Sequence, residues 1–381
     1  MKSIEFLRGI RRDLHRLPEL SGKEARTASA IVSYLEECVP SRIVTGFYGH
    51  AVAAVYDRHG AGSTIVLRAE LDALPITEKN DFEHASSNEG SSHACGHDGH
   101  MTILLGVASY IHDHPGEIKS RVVLLFEPSE ETAAGAKGIC SGRFYEELEP
   151  DYIFALHNLP GFKLGEIVMG NGLFAIASKG MVVELKGATA HAGHPEQGNN
   201  PVFAMTGIIE RIKLISERYN RDESQAMITI IHVRLGEIAF GSSPGTCVIM
   251  ATLRARTDSM LEEMGKKTVQ AVSEIAGSHE LGCSIGWVEE FPATINDAEA
   301  VSIIERAAKR EGLKLAWIEK PFSWTEDFSY FLKKTRGAMF GLGAGEDCRP
   351  LHSENYDFPD SIIENGVKIF LRIIKEIDAS T

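Results

Sequence analysis

The sequence predicts an α/β protein of two domains: a mixed sheet covered by helices, interrupted by a small ferredoxin-like insert. Three observations carry this. Apolar strand-like runs alternate with amphipathic helical stretches in the first half of the chain, and mixed helix and strand return at its end, the pattern of a sheet covered on both faces. Between these parts the rhythm changes to β-α-β-β-α-β, the split βαβ order of ferredoxin-like domains. At 381 residues the chain also exceeds one ordinary core, so two domains are the natural expectation.

The elements follow in order. Residues about 4–16 and 24–37 have helical periodicity, and apolar runs at 50–56, 63–68, 121–126 and 151–156 read as strands. Gly99 to His114 places apolar residues at helical spacing between two of those runs. In the insert, GMVVELKG is a strand, NPVFAMTGIIERIKLISERY a helix, QAMITIIHVRLG and TCVIMATLRART two strands, SMLEEMGKKTVQAVSEIAG a helix and CSIGWVEEF a final strand. The predicted division is 1–177 and 291–381 for one domain and 178–290 for the insert.

Composition narrows the function. The chain is 43% hydrophobic, enough for packed interiors, and carries a formal net charge of -14. That charge makes nucleic acid and anionic membrane surfaces poor partners, since both need a positive face. The six cysteines are scattered through a long chain rather than set in a frame, which argues against a disulfide scaffold. MKSIEFLRGIRRDLHRLPEL mixes charge into an amphipathic helix and resembles neither a signal peptide nor a membrane span. A reducing cytoplasm is the expected location.

The stretch SSHACGHDGH, Ser91 to His100, gathers one cysteine and three histidines. In open α/β sheets ligands sit beyond the carboxyl ends of the strands, and several runs here end in polar groups. STIVLR leads to Glu70 and Asp72, RVVLLF to Glu130 and Glu131, DYIFAL to His157, and GAMFGLG through a loop to His352. Cys95, His97, Glu131, His157 and His352 are all metal-ligand types, and five such groups suit two neighbouring ions that keep open positions. In the pair Glu130-Glu131, one carboxylate binding metal leaves its neighbour free to take a proton from metal-bound water. Two other readings stand beside this one: a thiol nucleophile, Cys95, with His97 or His100 as base, and a loop of solvated polar residues.

Those segments resemble a known family. HRLPELSGKEARTA, RAELDALPI, HACGHDGHMTILLG, FEPSEETAAGAKGI, ALHNLPGFKLG, TEDFSYF and LHSENYDF are similar, in order and across nearly the whole chain, to M20 metallopeptidases. The nearest branch is the amidohydrolases: hippurate hydrolases, auxin-conjugate hydrolases and N-acyl amino acid deacylases. The resemblance implies a di-metal hydrolase domain carrying a lid and dimerisation domain. It implies two divalent ions, Zn2+ or Mn2+, held by Cys95, His97, Glu131, His157 and His352, with Cys95 as a bridging thiolate. Glu130 stands at the general base and Asp72 at an aspartate behind the ligands, and the substrate is a small N-acylated amino acid or conjugate. His191, in KGATAHAGHPEQGNNP, matches a histidine that reaches the active site, often that of the partner subunit.

There are two departures. Glu70 stands where relatives have aspartate, and GEIAFGSSPGTCVIMATLRA lacks an asparagine that helps form the substrate site in most relatives. A homodimer through 178–290 is expected, because QAMITIIHV is placed as an exposed edge strand.

Overall fold

In a computed structural model, residues 2–57, 62–220 and 225–380 are described. The chain has the predicted α/β class and divides into two compact units. One comprises Met1–Phe174, Thr294–Pro321 and Glu326–Thr381, the other Ala175–Ala293 and Phe322–Thr325.

The first unit opens with helices α1 (Ile4–His15) and α2 (Ala25–Glu36). Ser3 caps α1 by accepting from the Phe6 N–H, and Leu7, Ile10 and Leu14 form its buried face. Then come β1 (Arg42–Thr45), β2 (Val52–Tyr56), β3 (Thr64–Glu70), α3 (His97–Asp113), β4 (Arg121–Glu127), α4 (Gly135–Ser141), α5 (Arg143–Leu148), β5 (Tyr152–Pro160), β6 (Ile167–Met169) and β7 (Leu173–Ala175). The second unit supplies β8 (Ala177–Lys186), β9 (Ala190–His191), α6 (Val202–Tyr219), β10 (Met227–Leu235), β11 (Ser242–Ser243), β12 (Thr246–Ala255), α7 (Asp258–Ser278) and β13 (Gly282–Phe291). The chain returns to the first unit with β14 (Thr294–Ile295), α8 (Ala298–Arg310), β15 (Leu315–Trp317), α9 (Ser329–Leu332), β16 (Arg336–Gly345) and α10 (Ile363–Asp378).

An eight-stranded mixed sheet organises the first unit, in the order β1-β2-β4-β3-β5-β16-β6-β15. Its centre is parallel: β3 pairs with β4 and β5, and β16 with β5. These strands are buried on both faces, which explains their unbroken apolar runs where a half-exposed strand would alternate. Helix α3 is buried without a break from His97 to Ser109. Its approach to α10 is close: a Cβ added to Gly106 would stand 2.5 Å from Val367. Because β3, β4 and β5 run the same way, the residues after Arg68, Phe126 and Leu156 emerge at one end of the sheet.

In the second unit the sheet order is β10-β12-β8-β13, all antiparallel. With β8, β10, β12 and β13 as first to fourth strands, this is the ferredoxin-like order. Alternation along β12 buries Cys247, Ile249, Ala251 and Leu253, and α6 and α7 contribute Ile208, Ile212, Met264 and Val272 to the buried set. The Thr257 hydroxyl caps α7 by accepting from the Met260 N–H. Strand β10 is an edge strand, irregular between Ile230 and His232, and Ile231 is 61% exposed. Among the described residues, no helix is long and apolar enough to cross a membrane.

Candidate metal centre

All five sequence-predicted ligands lie in the first unit, and the structure brings them together. Cys95 and His97 flank Gly96, whose φ of 92° is open to glycine and strained for side chains. That bend sets His97 as the first residue of α3, buried and facing the strand ends. His97 Nδ1–H donates to the Asp72 carbonyl at 2.9 Å, which turns Nε2 toward Glu130 (3.9 Å) and Glu131 (4.0 Å). His157 Nδ1 is fixed in the same way by the Asn158 carbonyl at 2.9 Å, and its Nε2 lies 3.4 Å from Cys95 Sγ. A ring nitrogen anchored to an oxygen while the other faces inward is the usual preparation of a ligating imidazole.

Glu130 and Glu131 occupy a single 3₁₀ turn after Pro128, between Ser129 and Ala133, both of which have positive φ (60° and 57°). The strained turn is tied down: Ser129 donates from its N–H to Glu24 at 2.9 Å, and the Glu131 N–H donates to Asp72 Oδ2 at 3.0 Å. Ser21 donates its hydroxyl to that same Asp72 oxygen at 2.7 Å. Asp72 therefore meets His97 through its carbonyl and Glu131 through its side chain. His352, also at positive φ (63°), donates its N–H to the Ala94 carbonyl. Its ring is half-exposed, with Nε2 3.9 Å from Glu131 Oε1.

Candidate ligand atoms form overlapping sets, each lying within 4.8 Å: Cys95, His97 and His157; Cys95, Glu131 and His352; His97, Glu130 and Glu131; with Glu70, His97 and His100, and Glu130, Glu326 and Asp327, as two further groups. Cys95 is common to the first two. His97 Nε2 and Glu131 Oε1 are buried with no hydrogen-bond partner, although such atoms are nearly always satisfied. The charges are equally unbalanced. Burial, then Glu131 and Glu130, push the Cys95 thiol well above its ordinary range. Burial and the neighbouring acids raise the Glu130 carboxyl well above the usual carboxylate range, and burial lifts that of Glu131 to about 7. His157 falls to about 3 through burial and His100. At His97 burial is outweighed by Glu70 and Asp72, and the ring rises to about 10. Two divalent cations fit this donor set, because they would satisfy the orphaned atoms and hold thiol and carboxyls ionised.

Beside the centre lies a network that the sequence reading did not single out. The buried Arg68 guanidinium is ion-paired with Glu70 and meets Glu127 at 2.5 Å and Glu326 and Asp327 at 2.9 Å each. An arginine inside the apolar run STIVLR was its one visible signal. His100, a possible base for a Cys95 nucleophile, is instead 2.7 Å from Glu70 and 2.5 Å from Asn158. The thiol-nucleophile reading loses that partner.

His191 belongs to the second unit. It lies on β9, whose register pairs it with Ser242 of β11. Its ring is exposed, and Nδ1 accepts from the Gly193 N–H at 3.0 Å. His194 lies 3.5 Å from Glu196.

Thiol, imidazole and carboxyl groups thus gather at the strand ends of a parallel-centred sheet, where open α/β sheets bind their ligands. Residues 66–376 match peptidase family M20/M25/M40, and the chain belongs to that family. It is accordingly an enzyme, a hydrolase acting on amide bonds. N-acetyldiaminopimelate deacetylase of Bacillus subtilis (strain 168) is 29% identical over 383 residues, covering 96% of this chain and 97% of the relative. N-acetyl-L-cysteine deacetylase of the same strain is 30% identical over 349 residues, covering 89% and 81%. Among solved structures, a dinuclear metal binding peptidase of the M20 family from Bacillus subtilis superposes with a TM-score of 0.81 at 24% identity, covering 98% of this chain and 97% of that one.

Proposed function

We propose that the protein is a two-metal amidohydrolase that cleaves the amide bond of small N-acyl amino acids or related conjugates. The observation that carries this reading is the convergence of Cys95, His97, Glu131, His157 and His352, among which His97 Nε2 and Glu131 Oε1 are buried without a hydrogen-bond partner. These five residues would hold the two ions, with Cys95 common to two of the candidate sets; a thiolate ligand favours Zn2+. Bound there, the ions supply Lewis acidity toward the scissile carbonyl and lower the pKa of water.

The chain's own groups move the protons. Glu130 adjoins Glu131 and is buried, so its carboxylate can act as general base beside the ligand set. It takes a proton from the attacking water as the C–O bond forms. It then returns that proton to the amine nitrogen as the C–N bond breaks. His191 donates to the oxyanion from the inserted unit of the partner subunit. The homodimer forms through β10, an edge strand with exposed apolar side chains. Names of relatives support acylated amino acids as the substrate class.

Turnover of acetyl-, benzoyl- and indoleacetyl-amino acids, before and after chelation, tests the reading. Hydrolysis of at least one series, lost on chelation and restored by Zn2+ or Mn2+, is expected. Activity that survives exhaustive metal removal refutes it.

A further inference from the structure

Beneath the metal centre runs a buried string of polar contacts that the proposed chemistry does not use. Arg68 is ion-paired with Glu70. Glu70 Oε2 lies 2.7 Å from His100 Nδ1, and His100 Nε2 lies 2.5 Å from Asn158 Oδ1. The Asn158 amide donates from Nδ2 to the Tyr356 hydroxyl at 2.5 Å. Every member is at most 2% exposed.

Asn158 is the point where this string meets the ligands. Its carbonyl accepts from His157 Nδ1 and so fixes the rotation of that ring. Its side chain packs under the bend between Cys95 and His97, where a Cβ added to Gly96 would stand 2.5 Å from Asn158 Oδ1. Through His100 the same amide is tied to α3, three residues beyond His97. Through Tyr356 it is tied to the segment that carries His352, four residues earlier in the chain. Three segments far apart in sequence, each bearing a ligand, thus share one buried side chain.

Close packing alone does not require this. An aliphatic side chain of similar size would fill the space but leave the Tyr356 hydroxyl without this partner and His100 Nε2 with the Asn158 backbone N–H at 3.2 Å alone. A buried polar network is costly when half satisfied, and fully satisfied it specifies one arrangement. We infer that Asn158 is a positioning residue of the metal centre, the amide that holds the segments bearing Cys95 and His97, His157 and His352 in mutual register. The inference rests on the two-metal reading, and extends it to a residue outside the ligand set.

The test compares the full-length protein with Asn158→Ala and Tyr356→Phe. Zinc affinity is measured by competition with a chelator, and the absorption of the cobalt-loaded protein reports thiolate coordination. Far-UV circular dichroism and melting of the metal-free proteins record the fold. Loss of an outer partner of this kind costs about 10–100-fold in metal affinity, and that loss is expected for Asn158→Ala, with an altered cobalt–thiolate band. Tyr356→Phe, which removes one oxygen and keeps the ring, shifts both readouts less and in the same direction. It keeps the proposal testable should Asn158→Ala fail to fold. A purely structural asparagine would lower the melting temperature of the metal-free protein and leave zinc affinity and the cobalt spectrum unmoved. That outcome in both variants overturns the inference. Wild-type protein that binds no zinc overturns the two-metal reading instead.

Discussion

Arg68→Met is the perturbation whose size the structure sets most directly. The substitution removes the guanidinium shared by Glu70, Glu127, Glu326 and Asp327, all of them buried. Methionine fills much of the volume, so the loss is electrostatic. Breaking a buried ion pair by deleting one partner costs about 3–5 kcal/mol, because the other charge stays buried and uncompensated. At ~2–4 °C per kcal/mol for a domain of this size class, melting should fall by about 6–20 °C. The pH dependence gives a second check. Burial already lifts the Glu127 carboxyl to about 7 with Arg68 in place. A carboxyl raised in the native state binds its proton more tightly there than in the unfolded chain. Its contribution is therefore full below the ordinary carboxylate range and lost as pH rises toward 7. Without Arg68 the cluster rises further, so the deficit should be largest near neutrality and shrink on acidification toward about pH 5. Melts followed by circular dichroism at the two pH values read both effects. A variant that melts like wild type near neutrality, or whose deficit grows on acidification, refutes this account of the cluster.

The remaining predictions concern the site and assembly. Glu131→Gln should lower metal occupancy before anything else; unchanged metal content with lost turnover would reverse the assignment of the two carboxylates. His191→Ala should reduce turnover at least about a hundredfold, the worth of one oxyanion donor, with both metals retained and His194→Ala milder. Wild-type rates in His191→Ala would remove it from the chemistry. Light scattering should give the mass of a dimer, and a monomer at working concentration contradicts pairing through β10.

Much of the fold was legible because long elements carry their period openly. The apolar runs of β3, β4 and β5 and the amphipathic α1 and α2 lie within a few residues of where the pattern puts them. The short strands β6, β7, β9, β11, β14 and β15 were not read, since two or three residues are too few to show a period. The run ending at Leu156 continues as strand through His157 to Pro160, so a candidate ligand sits within β5 rather than after it. Residue types at strand ends pointed to Cys95, His97, Glu131, His157 and His352. What the sequence could not show was contact at long separation. Arg68 meets Glu326 and Asp327 across 258 and 259 positions, and TEDFSYF looks in isolation like an ordinary loop leading into a helix. Tyr356 and Asn158 stand 198 positions apart, and neither type announces a buried partner.

On the proposed function, two divalent ions sit among five ligands while Glu130 stands outside them as the base. Elemental analysis of the purified protein beside Glu130→Gln, with turnover on the same samples, tests it most directly. Two ions per chain are expected in both proteins, with turnover in the variant lower by about 10²–10⁴-fold, the usual worth of a general base. Metal-free protein that hydrolyses N-acyl amino acids at the rate of the loaded form would contradict it, and so would a Glu130→Gln variant that turns over like wild type.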